Sequence, residues 1–273
     1  MHKIYQVYQI SDSTGETLDR IFLAIQAQFS NFECKTIHFS FTRTKNQINK
    51  IISKCKSGQN VIVLCTIVDN SLAKFLISEC KKNSIPCFEV LGKLISDFSK
   101  LLEKKASRIP SGQHVLDEEY YKRIEAVQFT MIHDDGKIIS DLEKSDIILV
   151  GVSRTSKTPT SIYLANRGYR TANIPFIPDK NLPAQLIQNS DKTCIIGLTC
   201  DPIRLSDVRR NRVQSIHEDR SSEYTNKKKI INELENSKKI FKKYNWPIID
   251  ITRKSVEETA ASIIKIFDIL NSK

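Results

Sequence analysis

The sequence predicts an α/β protein of two lobes, each a parallel sheet with covering helices. Three observations carry this. Strand and helix signals alternate through the first hundred residues, which points to parallel strands joined by crossover helices. The alternation then breaks in a turn-rich, basic stretch, Arg108 to His114. It resumes in Ser145 to Pro175 as strand, loop, helix and strand, one βαβ unit. The expected organisation is an N-terminal domain over 1–107, a linker with a helix over 108–139, and a second domain over 140–273.

In chain order, Ile4 to Ile10 reads as a strand and Glu16 to Phe29 as an amphipathic helix. Cys34 to Phe41 is then a strand, Lys45 to Cys55 a helix and Asn60 to Cys65 a strand. Asn70 to Lys82 is helical, Cys87 to Leu91 extended, and Lys93 to Lys104 helical again. SDSTGET, Ser11 to Thr17, falls where the first strand gives way to the first helix, the usual ligand mouth of such sheets. Its hydroxyls read either as helix-capping groups or as a second anion or protein-recognition site. Asp117 to about Thr130 follows as a helix, and HDDG at 133–136 as an Asp-Gly turn.

The most informative stretch comes next. Asp146 to Val150 is an apolar, β-branched run suited to a strand buried on both faces. Directly after it stands GVSRTSKT, Gly151 to Thr158, close to the phosphate-loop pattern G-x-x-x-x-G-K-[ST]. A loop entering a helix N-terminus aims unpaired N–H groups and the positive end of the helix dipole at its mouth, and anions bind there. Gly151, Val152, Ser153, Arg154, Thr155, Ser156, Lys157 and Thr158 are therefore the candidate nucleotide-binding residues. Lys157 supplies a point charge for terminal phosphates, and Thr158 offers its hydroxyl to Mg²⁺. Ser156 stands where the pattern has glycine, so the loop there needs strain or an altered path. Pro159 suits the helix's first turn and Gly168 its end. On this motif the C-terminal lobe is expected to be P-loop kinase-like. Asp134 or Asp135 could face the phosphates, hold Mg²⁺ or take the proton of an attacking hydroxyl.

Tyr169 to Ile174 is extended, Asn181 to Gln188 a helix, Thr193 to Leu198 a strand and Pro202 to Arg212 a helix. Arg204, Arg209, Arg210 and Arg212 on that helix could reach phosphates near the loop, since guanidinium suits bidentate contact with oxyanions; the alternative is a solvated basic face, the reading favoured for Arg210. A helix from about Tyr224 to Tyr244 carries the lysine runs Asn226 to Ile230 and Lys238 to Lys243. Trp246 to Ile251 is a last strand, and Ser255 to Leu270 a helix opened by a Ser255/Glu258 capping-box pattern.

Four segments together resemble the pyruvate, phosphate dikinase regulatory proteins: ISDSTGET at Ile10 to Thr17, HDDG at 133–136, GVSRTSKTPTSIYLANRG preceded by SDIILV, and GLTCDPIRLSDVRRNR at Gly197 to Arg212. They span most of the chain. The resemblance implies a bifunctional serine/threonine kinase and phosphorylase. It would use ADP to phosphorylate a threonine of the dikinase, or of phosphoenolpyruvate synthase, beside the target's catalytic histidine. Inorganic phosphate would remove that group and release pyrophosphate.

Composition narrows the alternatives. Of 273 residues, 40% are hydrophobic and 27% charged, an ordinary globular balance. No apolar run approaches the roughly 20 residues of a membrane span, and Met1 to Gln9 is too polar for a secretory signal, so a cytoplasmic protein without membrane partners is expected. Seven cysteines without a C-x-x-C pair predict reduced thiols, no disulfide and no zinc. A formal charge of +11 favours anionic partners. Nucleic acid is not expected among them, because no recognisable binding motif with interleaved aromatics occurs. No G-x-G-x-x-G is present, and neither GTPase nor eukaryotic-type kinase motifs lie where they would be needed. A small-molecule kinase sharing the loop, and a basic RNA-binding module, are the alternatives; the sequence leaves a homodimer open.

Overall fold

The computed structural model describes residues 3–112, 117–136, 140–178, 180–188, 193–216 and 224–272. The chain divides into two compact units, 1–115 and 116–273.

The first unit runs β1 (Tyr5–Ser11), α1 (Glu16–Gln26), β2 (Cys34–Phe39), α2 (Lys45–Ser57), β3 (Val61–Thr66), α3 (Asn70–Lys82), β4 (Cys87–Glu89) and α4 (Gly92–Leu101). All its strands pair in parallel, in the order β2-β1-β3-β4. Alternate side chains of the central strands divide between the faces, as the pleat requires. Val7 and Leu64 pack with Leu18 and Phe22 of α1, while Tyr8, Ile10, Val63 and Cys65 pack with α2 and α3. Helix entries are set locally. Thr44 and Gln47 form a reciprocal capping box, and the Asp69 carboxylate accepts from the N–H groups of Ser71 and Leu72.

The second unit contains α5 (Glu118–Ile132), β5 (Ile147–Gly151), α6 (Lys157–Ala165), β6 (Thr171–Pro175), α7 (Ala184–Gln188), β7 (Cys194–Thr199), α8 (Pro202–Ile216), α9 (Lys227–Lys243), β8 (Ile248–Asp250) and α10 (Val256–Asn271). Its sheet is also parallel, ordered β6-β5-β7-β8. Relative to chain order the two sheets share one strand arrangement. In each, the first strand lies between the second and third, so the crevice for a ligand opens at the carboxyl ends of β1 and β3, and of β5 and β7. Strand β5 is buried along its whole length, as its apolar run predicts. The Ser255/Glu258 capping box forms as expected.

Some boundaries differ, for local reasons. Strand β2 stops at Phe39 because Phe41 takes a left-handed conformation, φ 53°. Helix α7 begins only at Ala184, where Pro183 supplies the carbonyl for its first turn. Of the expected linker 108–139, residues 113–116 and 137–139 lie outside the described residues. The remainder divides between the units. Arg108 donates to Val68 O and Ser96 Oγ in the first. Helix α5 packs on α6 and β6 in the second, where Thr130 Oγ1 accepts from Thr171 N–H at 3.0 Å. Among the described residues no helix is long and apolar enough to cross a membrane.

Candidate functional site

The 151–158 segment leaves the carboxyl end of β5 and becomes the first turn of α6. Glycine is required at its start: a Cβ on Gly151 would lie 2.6 Å from Thr155 Oγ1 and 2.9 Å from Leu198 O. Ser156 caps α6 in the left-handed region at φ 53°, and Arg154 is left-handed at φ 73°. The loop therefore takes the strained path that glycine would have eased, at a cost of roughly 1–2 kcal/mol per residue.

That path orients the peptide groups. Lys157 is buried, and its Nζ donates to Gly151 O at 2.9 Å and Val152 O at 3.1 Å. The Thr155 hydroxyl also donates to Val152 O, at 2.9 Å, and Arg209 Nη2 donates to Ser153 O at 3.3 Å. The carbonyls are thus drawn back into the protein. Among the described residues, the N–H groups of residues 153–158 find no acceptor. A run of unpaired N–H groups at a helix N-terminus is an anion-binding concavity. Burial holds the Lys157 ammonium down to about 8, against the opposing pull of Asp135 and Asp134.

The HDDG turn comes to the same place. Asp134 Oδ1 accepts from the Thr158 hydroxyl at 2.9 Å and from Asn173 Nδ2. Asn173 Oδ1 accepts from Asp135 N–H at 3.0 Å, and Asn173 N–H donates to His133 O. A buried asparagine on β6 thus holds both aspartates against α6, with Asp135 left-handed at φ 54°. The Asp135 side chain is exposed and lines a cavity of about 450 Å³ with Ser153, Arg154, Lys157, Thr158 and Tyr224. Asp134 and Thr158 offer one carboxylate and one hydroxyl. That suits Mg²⁺, which keeps waters and takes its other ligands from phosphate oxygens. No cluster of three or more metal-ligating side chains occurs among the described residues.

The four α8 arginines separate. Arg212 lines the cavity. Arg204 and Arg210 are exposed, and Arg210 faces Asp207 at 3.8 Å. Arg209, expected to reach phosphates, is instead fully buried: Nη2 pairs with Glu233 at 2.6 Å, and the guanidinium lies over the Tyr224 ring at 4.6 Å. Sequence reading missed Asn173, Tyr224 and Glu233. Two signals were available: a buried amide inside the apolar strand TANIP, and an acid in a lysine-rich helix.

In the first unit, SDSTGET occupies the corresponding position. Gly15, at φ 93°, caps α1 as Ser156 caps α6, so Glu16 stands where Lys157 does and Thr17 where Thr158 does. The loop lines a cavity of about 160 Å³. Asp12 lies buried beside it, its carboxylate accepting from Val68 N–H at 2.8 Å, and burial raises its pKa.

The profile of the kinase/pyrophosphorylase family matches residues 7–264. A protein of Pelagibacter ubique named as a pyruvate, phosphate dikinase regulatory protein is 59% identical over 269 residues, covering 98% of each chain. A relative of the same name from Sinorhizobium medicae is 44% identical over 266 residues, 96% of each chain. Another, from Wolbachia of Brugia malayi, is 41% identical over 268 residues, covering 97% of this chain and 98% of its own.

Proposed function

The chain belongs to the kinase/pyrophosphorylase family, that of the pyruvate, phosphate dikinase regulatory proteins, and on that premise we propose that its 151–158 loop works a two-way switch on a dikinase or on phosphoenolpyruvate synthase. In one direction ADP gives its β-phosphoryl group to a target threonine. In the other, inorganic phosphate takes that group off as pyrophosphate. The observation that carries this reading is the run of unpaired N–H groups at 153–158, with Lys157 behind it and two aspartates beside it.

In the kinase direction the threonine Oγ attacks the β-phosphorus, the bond to the bridging oxygen breaks, AMP leaves, and the hydroxyl proton passes to a base. Asp135 suits that role, because its side chain is exposed in the cavity while Asp134 is engaged by Thr158 and Asn173. In phosphorolysis an oxygen of inorganic phosphate attacks the phosphothreonine. The threonine oxygen leaves and takes up the proton that the phosphate carried. Both steps move a phosphoryl group between two oxygens in line, so the same N–H groups and Lys157 would stabilise either. Asp134 and Thr158 would hold Mg²⁺, which would supply positive charge to offset that of the phosphates.

The test is to incubate the protein with ADP, Mg²⁺ and the dikinase or synthase of its own organism, and to locate phosphate by mass spectrometry. Phosphate on one threonine, removed again by inorganic phosphate with pyrophosphate released, is the expected result. Phosphate appearing only on a metabolite would overturn the reading.

A further inference from the structure

Among the described residues Arg209 is the largest fully buried side chain, with 1% of its side chain exposed, and the chemistry above gives it no substrate contact. Its guanidinium spreads over three elements. Nη1 donates to Tyr224 O at 3.2 Å, while Nη2 donates both to Ser153 O at 3.3 Å and to Glu233 Oε2 at 2.6 Å. The Tyr224 ring stacked on it sends its hydroxyl to Ser153 Oγ, 3.0 Å away. Ser153 is thus held at its carbonyl by Arg209 and at its hydroxyl by the Tyr224 stacked on that guanidinium. A buried ion pair is an uneconomical source of stability, since apolar replacements of similar volume often do as well or better. The arrangement is explained by what it does to the loop.

A backbone carbonyl facing the mouth would repel a phosphate. Lys157 and Thr155 hold the carbonyls of Gly151 and Val152, and among the described residues Arg209 is the one donor to that of Ser153, at the bend where Arg154 and Ser156 turn left-handed. We propose that Arg209 is a positioning residue for the 151–158 loop: its planar fork, anchored by Glu233 and Tyr224, pins the Ser153 carbonyl inward so that the following N–H groups face the phosphate. This rests on the reading of the loop as a phosphate site. Lysine cannot substitute, because a compact ammonium lacks the fork that serves three acceptors in different directions.

The experiment is calorimetric titration of ADP and, separately, inorganic phosphate into the wild type, Arg209→Lys, Arg209→Ala and Glu233→Gln, with thermal melting of each. Arg209→Lys is expected to stay folded and to lose about tenfold or more in affinity for both ligands, the scale of one charged hydrogen bond. Added guanidinium ion should restore much of the affinity of Arg209→Ala, which a general loss of stability would not allow. If the Arg209 variants do not fold, Glu233→Gln decides, since it keeps the guanidinium and frees its anchor; several-fold weaker binding of both ligands is expected. Wild-type affinity in a folded Arg209→Lys, or in Glu233→Gln where that variant decides, overturns the proposal, as does failure of guanidinium to restore a folded Arg209→Ala. A wild type that binds neither ligand would instead strike the phosphate-site reading beneath it.

Discussion

Thr158 and Asp134, 24 positions apart in sequence, meet across 2.9 Å, the hydroxyl donating to Oδ1. Their contact joins the first turn of α6 to the HDDG turn, and the Asn173 amide on β6 holds the second partner in place. A hydroxyl and a carboxylate at the mouth of a run of free N–H groups make a half-built site, to which a nucleotide would add the phosphate oxygens.

Asp134→Asn should therefore abolish the effect of Mg²⁺ on ADP binding. Wild-type affinity is expected to fall by about 1.5–3 kcal/mol when EDTA is added, the scale of losing charged contacts, and the variant to show no such difference. Titration with and without Mg²⁺ checks this, and a full Mg²⁺ effect in the variant would remove Asp134 from the metal site.

Asp135→Asn should slow phosphorylation of the target by about 10²- to 10⁴-fold, the usual worth of a positioned base. Phosphorolysis should slow less, because its attacking oxygen arrives already ionised. Both rates are read from phosphothreonine gained or lost by mass spectrometry; equal losses in the two directions would contradict the assignment.

The pH dependence follows from Lys157. Burial holds its ammonium down to about 8 in the free protein, and a bound phosphate favours the charged form and raises that value. Below about 8 the lysine is charged with or without ligand, and this group adds no pH dependence. Above it, binding takes up a proton and affinity falls by up to about tenfold per pH unit. Calorimetry near pH 9 in buffers of different ionisation enthalpy should show that uptake, and none would contradict it. Without ligand the sign reverses: the unfolded chain holds this proton up to 10.5, so Lys157 makes the fold more stable as pH rises from about 8 to that value.

Gly151→Ala should destabilise the second unit by about 1–3 kcal/mol, since its Cβ would press on Thr155 Oγ1 and Leu198 O. Denaturant unfolding measures this. A variant as stable as the wild type would mean that the strand and loop relax without cost.

How much of this was legible beforehand depends on the range of each interaction. Buried strands such as Ile147–Gly151, the Ser255/Glu258 box and the stop at Gly168 are written in neighbouring residues, and sequence reading located them. The strain at Ser156 was legible too, because the phosphate-loop pattern calls for glycine there. What a local pattern does not carry is the partner across the fold. Helical spacing showed that α5 is a helix, but not that Thr130 would accept from Thr171 and tie it to the second sheet. Of the four arginines on one helix, Arg210 was read as solvated and lies outside, but nothing local separated Arg209, which packing buries against Glu233, from the others as an anion ligand. Asn173 passed as a polar residue in an apolar strand, although it organises both aspartates.

Whether the 151–158 loop holds the terminal phosphates of a nucleotide is decided by calorimetric titration of ADP with Mg²⁺ into the wild type and Lys157→Ala. Removing the ammonium takes away a charge beside the phosphates, while the carbonyls of Gly151 and Val152 keep their bonds from Phe176 N–H and the Thr155 hydroxyl. Affinity is predicted to fall by about 1.5–3 kcal/mol or more, with thermal melting showing that the variant is folded. Unchanged ADP affinity in folded Lys157→Ala would mean that the loop does not hold the phosphates.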